Sequence, residues 1–257
     1  GQWHLPLAHP MTSLHVGWGA LAWIGALLIG VAYQVVPMFQ ITPEYPAWLR
    51  RWLIPTLLSL LLAWSALHLW YPLLAIVPAS LLGLLFLLFA LQTLRLQKQR
   101  KRRLADVTLD FWQWAMGCLM LAVVAWGLGQ WLAWPPLDIL VGALFLLGFA
   151  TSAVNGMLYK IVPFLVWLHL NNRLQAQGSW QGSVPNMKQI IPVSATRRQF
   201  RLHLFALLVL LVTLGLPEML PAWIAGGLWL ANAGYLWWNL LQALLLYRKS
   251  LQQAESG

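Results

Sequence analysis

The chain has 257 residues, of which 60% are hydrophobic and 9% charged, against about 25% charged residues in soluble domains. That composition excludes an ordinary water-soluble globule and makes the bilayer the solvent. Sixteen Lys and Arg against six acids give a net charge of +10, which in so apolar a chain reads as basic loops facing anionic lipid headgroups, not as a groove for nucleic acid.

The first ten residues, Gly1 to Pro10, carry neither an initiator Met nor a signal-peptide pattern, so the chain reads as the later part of a longer protein. A helix needs about 20 apolar residues to cross the hydrocarbon, and seven such runs follow. They cover residues 15–38, 52–70, 74–94, 109–134, 137–160, 202–216 and 222–247. The fold class is therefore all-α, a polytopic transmembrane helix bundle in a single domain. Arg50 and Arg51 follow the first span, a run from Arg95 to Arg103 the third, Arg173 to Arg201 the fifth, and Arg248 and Lys249 the seventh. The other turns hold no Lys or Arg, which places the N-terminus outside and the C-terminus in the cytoplasm. Residues 171–199, rich in Gln, Ser, Asn and Gly, read as one long cytoplasmic loop.

An eight-residue pattern occurs twice. Gly30-Val-Ala-Tyr33-Gln-Val-Val-Pro37 ends the first span, and Gly156-Met-Leu-Tyr159-Lys-Ile-Val-Pro163 ends the fifth, at an offset of 126 residues and four spans. Equal direction through the membrane makes a four-helix repeat the natural reading. Ala22, Ala26 and Gly30 in span one, and Ser152 and Gly156 in span five, form small-residue faces suited to close helix packing. A flat wall for a planar ring is the sharper alternative.

Histidine offers the cofactor chemistry, because the lone Cys118 excludes a disulfide framework, a CxxCH haem attachment and a cysteine-rich metal site. His15 and His68 fall near the outer ends of adjacent antiparallel spans, at similar depth, where two neutral imidazoles would ligate a low-spin b-type haem. His9 and Met11, with His4 and His15, offer imidazole and thioether for an outward-facing copper site. Met116 and Met120 flank Cys118 and read as packing. His169 and His203 read as solvated residues at the cytoplasmic boundary.

The stretch from His15 through Gly17, Trp18, Gly19, Trp23 and Gly25 to Tyr33 and Pro37 resembles the haem-ligand helix of the haem–copper oxidase subunit I superfamily, and the related NnrS-type membrane proteins. The resemblance covers about 25 residues well and implies a bundle built in four-helix arcs, with His15 as axial ligand of a low-spin haem b. His15 matches the second histidine of the family's HxH pattern, Ser13 stands where the first, the high-spin haem ligand, would be, and no His-His pair or HPE-type motif supplies copper ligands. The resemblance thus implies an electron-transfer role, or one in metal or nitric oxide stress, in a bacterial inner membrane, with a redox partner or further subunits, and no oxygen reduction. Whether the chain is an enzyme at all stays open. A permease lined by Gln34, Asn155, Asn232 and Asn239 is the alternative, as is an accessory subunit of a membrane complex. A retinal protein is excluded, since span seven has no Lys between Pro221 and Tyr247.

Overall fold

The computed structural model describes residues 8–101, 106–132, 134–176 and 185–255. Apolar runs this long bury no backbone polar group without a partner only as helices, and helix is the sole regular structure among the described residues. The elements are α1 (Ala8–Gly17), a π-helical segment (Trp18–Ala26), α2 (Leu27–Gln40), α3 (Ala47–Trp70), α4 (Ile76–Lys98), α5 (Val107–Gly129), α6 (Leu137–Ala143), a second π-helical segment (Leu144–Thr151), α7 (Ser152–Ala176), α8 (Met187–Ile190), α9 (Val193–Gly215) and α10 (Ala222–Glu255).

Among the described residues, six helical stretches are long and apolar enough to cross a membrane: Pro10–Gln40, Ala47–Trp70, Ile76–Lys98, Val107–Gly129, Leu137–Arg173 and Val193–Gly215. The seventh expected span corresponds to α10, which at 34 residues is long enough. Its Gly, Trp, Tyr and Asn residues dilute its hydropathy, and it is not one of the six.

Two boundaries depart furthest from the sequence reading. The fifth span was expected to end at 160, yet the helix runs on through Pro163 to Ala176; proline interrupts a helix only locally when neighbouring helices hold it. The sixth was expected to begin at 202, and α9 begins at Val193. Its first turns are polar and charged, which hides them from a hydropathy reading. The long loop expected over 171–199 is correspondingly shorter, and it includes α8, whose start is fixed by a capping box: Asn186 accepts from the Gln189 backbone N–H, and Gln189 accepts from that of Asn186.

The chain divides into two compact units, Gly1–Leu104 with Gln113–Ala153, and Ala105–Trp112 with Val154–Gly257. In the first, α3 packs on α4 and on the long first helix. Buried Leu53, Leu57, Leu61, Phe86, Phe89 and Ala90 form its core. Phe86 meets Phe145 edge-on at 5.7 Å, and Gly25 leaves room for its ring. At the end of α2, Ile41 adopts a left-handed backbone with φ 55°, costly for a β-branched residue, and its carbonyl accepts the Lys101 N–H. In the second unit, α9 packs on α10 around Phe111, Tyr159, Leu170, Leu236, Leu240 and Ala243.

Local geometry recurs along the chain. The π-helical segments begin at Trp18 and Leu144, the 126-residue offset of the Gly-x-x-Tyr motif. Helices α3 and α9 both follow an extended proline, Pro46 and Pro192, an offset of 146. They end alike, at Tyr71 (φ −139°, ψ 67°) and Leu216 (φ −135°, ψ 68°). Helices α4 and α10 begin at Ile76 and Ala222, again 146 apart. The buried stripes follow: Leu53, Leu57 and Leu61 correspond to Gln199, His203 and Leu207, and Phe86, Ala90, Thr93 and Gln97 to Asn232, Leu236, Asn239 and Ala243, all buried.

Candidate functional site

In the first unit, the long first helix and α3 run antiparallel. Tyr33 donates to the Leu49 carbonyl, Gly30 faces Ile54, and Trp18 Nε1 donates to Ser65 Oγ at 3.0 Å. Each step back along one helix is thus matched by a step forward along the other. Three residues beyond the Trp18–Ser65 pair on each helix stand His15 and His68, at a common level to within about one residue rise, ~1.5 Å. His15 is exposed and His68 half-buried. The His68 ring stacks on Trp64 at 5.1 Å and 22°. Trp64 in turn lies against the bare Gly17 Cα, where a Cβ would come within 2.7 Å of the ring. The level pairing expected from the hydropathy pattern is therefore present in the helix register, and an aromatic ring orients one of the two imidazoles.

The other expected ligands fare differently. His9 belongs to α1, but its side chain lies outside the described residues, as does His4 altogether. Met11 is 49% exposed. Among the described residues no group of three or more His, Cys, Asp or Glu side chains gathers to hold a metal ion. Met116 and Cys118 are buried in the apolar core. The glycine faces serve helix packing where they meet neighbours: Gly17 receives Trp64, Gly25 receives Phe86, and Gly156 lies against Phe111 and Trp112.

His203 departs most from expectation. Read as a solvated boundary residue, it is instead fully buried in the second unit, because α9 starts ten residues before it and Phe111 and α10 cover it. Its Nδ1 lies 3.2 Å from Asn232 Nδ2, and its ring meets Phe111 at 5.4 Å and Trp229 at 5.3 Å. Gln199 Nε2 donates to Asn232 Oδ1 at 2.9 Å. Two turns further along α10, Asn239 donates to the Tyr159 hydroxyl at 3.0 Å. Ion pairs Lys160–Asp106 (2.6 Å) and Arg197–Asp110 (3.4 Å) complete the polar residues of this unit's core and rim. His169, by contrast, is exposed as expected. Of the four residues considered for a polar path, Asn155, Asn232 and Asn239 are buried in the second unit, and Gln34 is exposed on the first.

Gln199 and the burial of His203 escaped the sequence reading. The signal was the spacing Thr196, Gln199, His203, three polar residues on one helical face, masked by the arginines interleaved with them. Comparison with family models, with curated proteins and with solved structures gave no match.

Proposed function

We propose that this is a multi-pass protein of the bacterial inner membrane, with its N-terminus outside, that holds a b-type haem between His15 and His68 and takes part in electron transfer or in metal or nitric oxide stress. The same reading treats the chain as a duplicated helical frame of the haem–copper oxidase-like kind, with basic loops on anionic headgroups and without the ligands for oxygen reduction. The observation that carries it is the register of α1 on α3, which supports two imidazoles at one level on neighbouring helices. His15 and His68, on two neighbouring helices, are the residues that would hold the haem.

The residues fit the group in kind: two neutral-capable imidazoles, one exposed and one half-buried. When bound, the haem would supply one-electron redox chemistry, tuned by its axial ligands and burial. The chain's own part is positional. Trp64 stacks on His68 and sets its ring plane, Gly17 lets Trp64 approach, and the Trp18–Ser65 hydrogen bond pins the level. Copper at His9 and Met11 belongs to the same reading only as an addition at the start of α1.

The test is an optical spectrum of the detergent-purified protein, oxidised and dithionite-reduced, with a pyridine haemochrome assay. A reduced b-type band that disappears in His15→Ala and His68→Ala supports the assignment. A colourless protein after expression with excess haem refutes it, and the weight then passes to the permease reading, which the burial of Asn155, Asn232 and Asn239 in one unit favours.

A further inference from the structure

The buried stripes that recur at an offset of 146 residues give the second unit an internal control. At the level where α9 carries Gln199 and His203 and α10 carries Asn232, α3 and α4 carry Leu53, Leu57 and Phe86. All six are at most 3% exposed. An apolar layer therefore holds the same pair of helices at the same register, and the polar layer is not what the packing requires. Burying three polar side chains where apolar ones would serve is unfavourable unless their hydrogen bonds are completed.

Those of Gln199 are not completed among the described residues. Among the described residues Gln199 Oε1, Trp229 Nε1 and Trp112 Nε1 are buried and have no hydrogen-bond partner. Gln199 is itself fully buried, and its other amide atom is committed to Asn232. The open valences are thus one acceptor and two donors: Gln199 Oε1 on the side chain bound to Asn232, Trp229 Nε1 on the ring against His203, and Trp112 Nε1 on the ring against Gly156. Water is the one abundant molecule that donates to the first and accepts from the others, and buried waters settle where polar groups lack partners. A polar line from the start of the helix into the core is present as well. Thr196, Gln199 and His203 form a continuous buried polar stripe on α9, reaching from the first turn to about 15 Å along the helix. The orphaned atoms of the Gln40–Gln97 pair in the first unit lie at the ends of α2 and α4 and form no such stripe.

We propose that the second unit contains a water-binding inlet that enters along the Thr196–Gln199–His203 face of α9 and ends at Trp229, and that the corresponding layer of the first unit is dry. This rests on the second unit alone and is independent of the haem assignment. A thiol reacts as its thiolate, which forms only where water reaches it, so matched cysteines report the difference. In a Cys118→Ser background in lipid nanodiscs, Gln199→Cys and Leu53→Cys are treated with a small, charged methanethiosulfonate reagent. Gln199→Cys is expected to react at least about tenfold faster than Leu53→Cys. Asn232→Cys against Phe86→Cys repeats the comparison on the facing helices, and serves where a variant of the first pair does not elute as a folded protein. Equal protection of both members of a folded pair would overturn the inlet, as would equal labelling of both.

Discussion

The layer at Leu57 and the layer at His203 are built on the same helix geometry and filled with opposite chemistry. Both follow an extended proline by eleven residues, and both sit on a helix that packs against the next one in sequence. In the first unit the filling is Leu53, Leu57 and Phe86; in the second it is Gln199, His203 and Asn232. Apolar packing is tolerant of what approaches it, whereas a hydrogen-bonded layer fixes partners and leaves a penalty whenever one is missing. The difference teaches that helix packing here needs shape, and that the same local shape accepts either filling.

One exchange read in both directions tests this most strongly. Leu57→His places an imidazole in a layer with no polar partner and is expected to lower stability by roughly 3 kcal/mol. His203→Leu removes one partner of Asn232 Nδ2 but leaves the Gln199–Asn232 bond intact, and is expected to cost about 1–2 kcal/mol. Thermal unfolding of the two purified variants decides it. Equal losses would mean that the two layers are not alternative fillings of one frame.

A second contrast lies within the repeated motif. A Cβ on Gly156 would fall 2.8 Å from the Phe111 Cβ and 3.3 Å from the Thr108 carbonyl, neither of which can swing away. On Gly30 it would meet only the Ile54 Cδ1, at 3.5 Å. Gly156→Ala is therefore expected to lose about 1–3 kcal/mol, and Gly30→Ala to be neutral or slightly stabilising, since alanine is the better helix former. If Gly30→Ala were the more damaging, the shared glycine would owe its place to something other than helix contact.

The helices were legible in the sequence because a bilayer leaves the backbone no alternative, and the Gly-x-x-Tyr motif announced the 126-residue offset that the π-helical segments share. What stayed hidden has physical causes. The start of α9 is polar and charged, so hydropathy placed it nine residues late, and the error made His203 look like a boundary residue. Its burial depends on Phe111, Trp229 and Asn232, which lie 92 residues before it and 26 and 29 residues after it. No local pattern encodes such contacts. The offset of 146 was hidden by the greater length of α7 and the longer connection from it to α9, which together shift the later helices by 20 residues against the motif. The level of His15 and His68, by contrast, followed from span boundaries alone, since two helices joined by a short turn keep their register.

The smallest contrast concerns the residue just before each proline, Tyr45 in the first unit and Ile191 in the second, both buried. The Tyr45 hydroxyl pairs with Thr93 Oγ1 at 2.9 Å and its ring lies parallel to Phe89. Burial pushes its phenol well above the ordinary tyrosine range, the Thr93 hydrogen bond opposing this in part. In the unfolded chain the same phenol ionises near pH 10. The native state therefore binds the proton more tightly, so its contribution to stability is complete below about pH 10 and declines as pH rises toward the native value. Tyr45→Phe removes the titrating group and its hydrogen bond, lowering stability at neutral pH by about 1 kcal/mol. It is also expected to flatten the fall in Tm between about pH 9.5 and pH 11. A variant whose Tm falls as steeply as that of the native protein would assign the alkaline sensitivity to other groups and leave Tyr45 as packing only, the role Ile191 fills in the second unit.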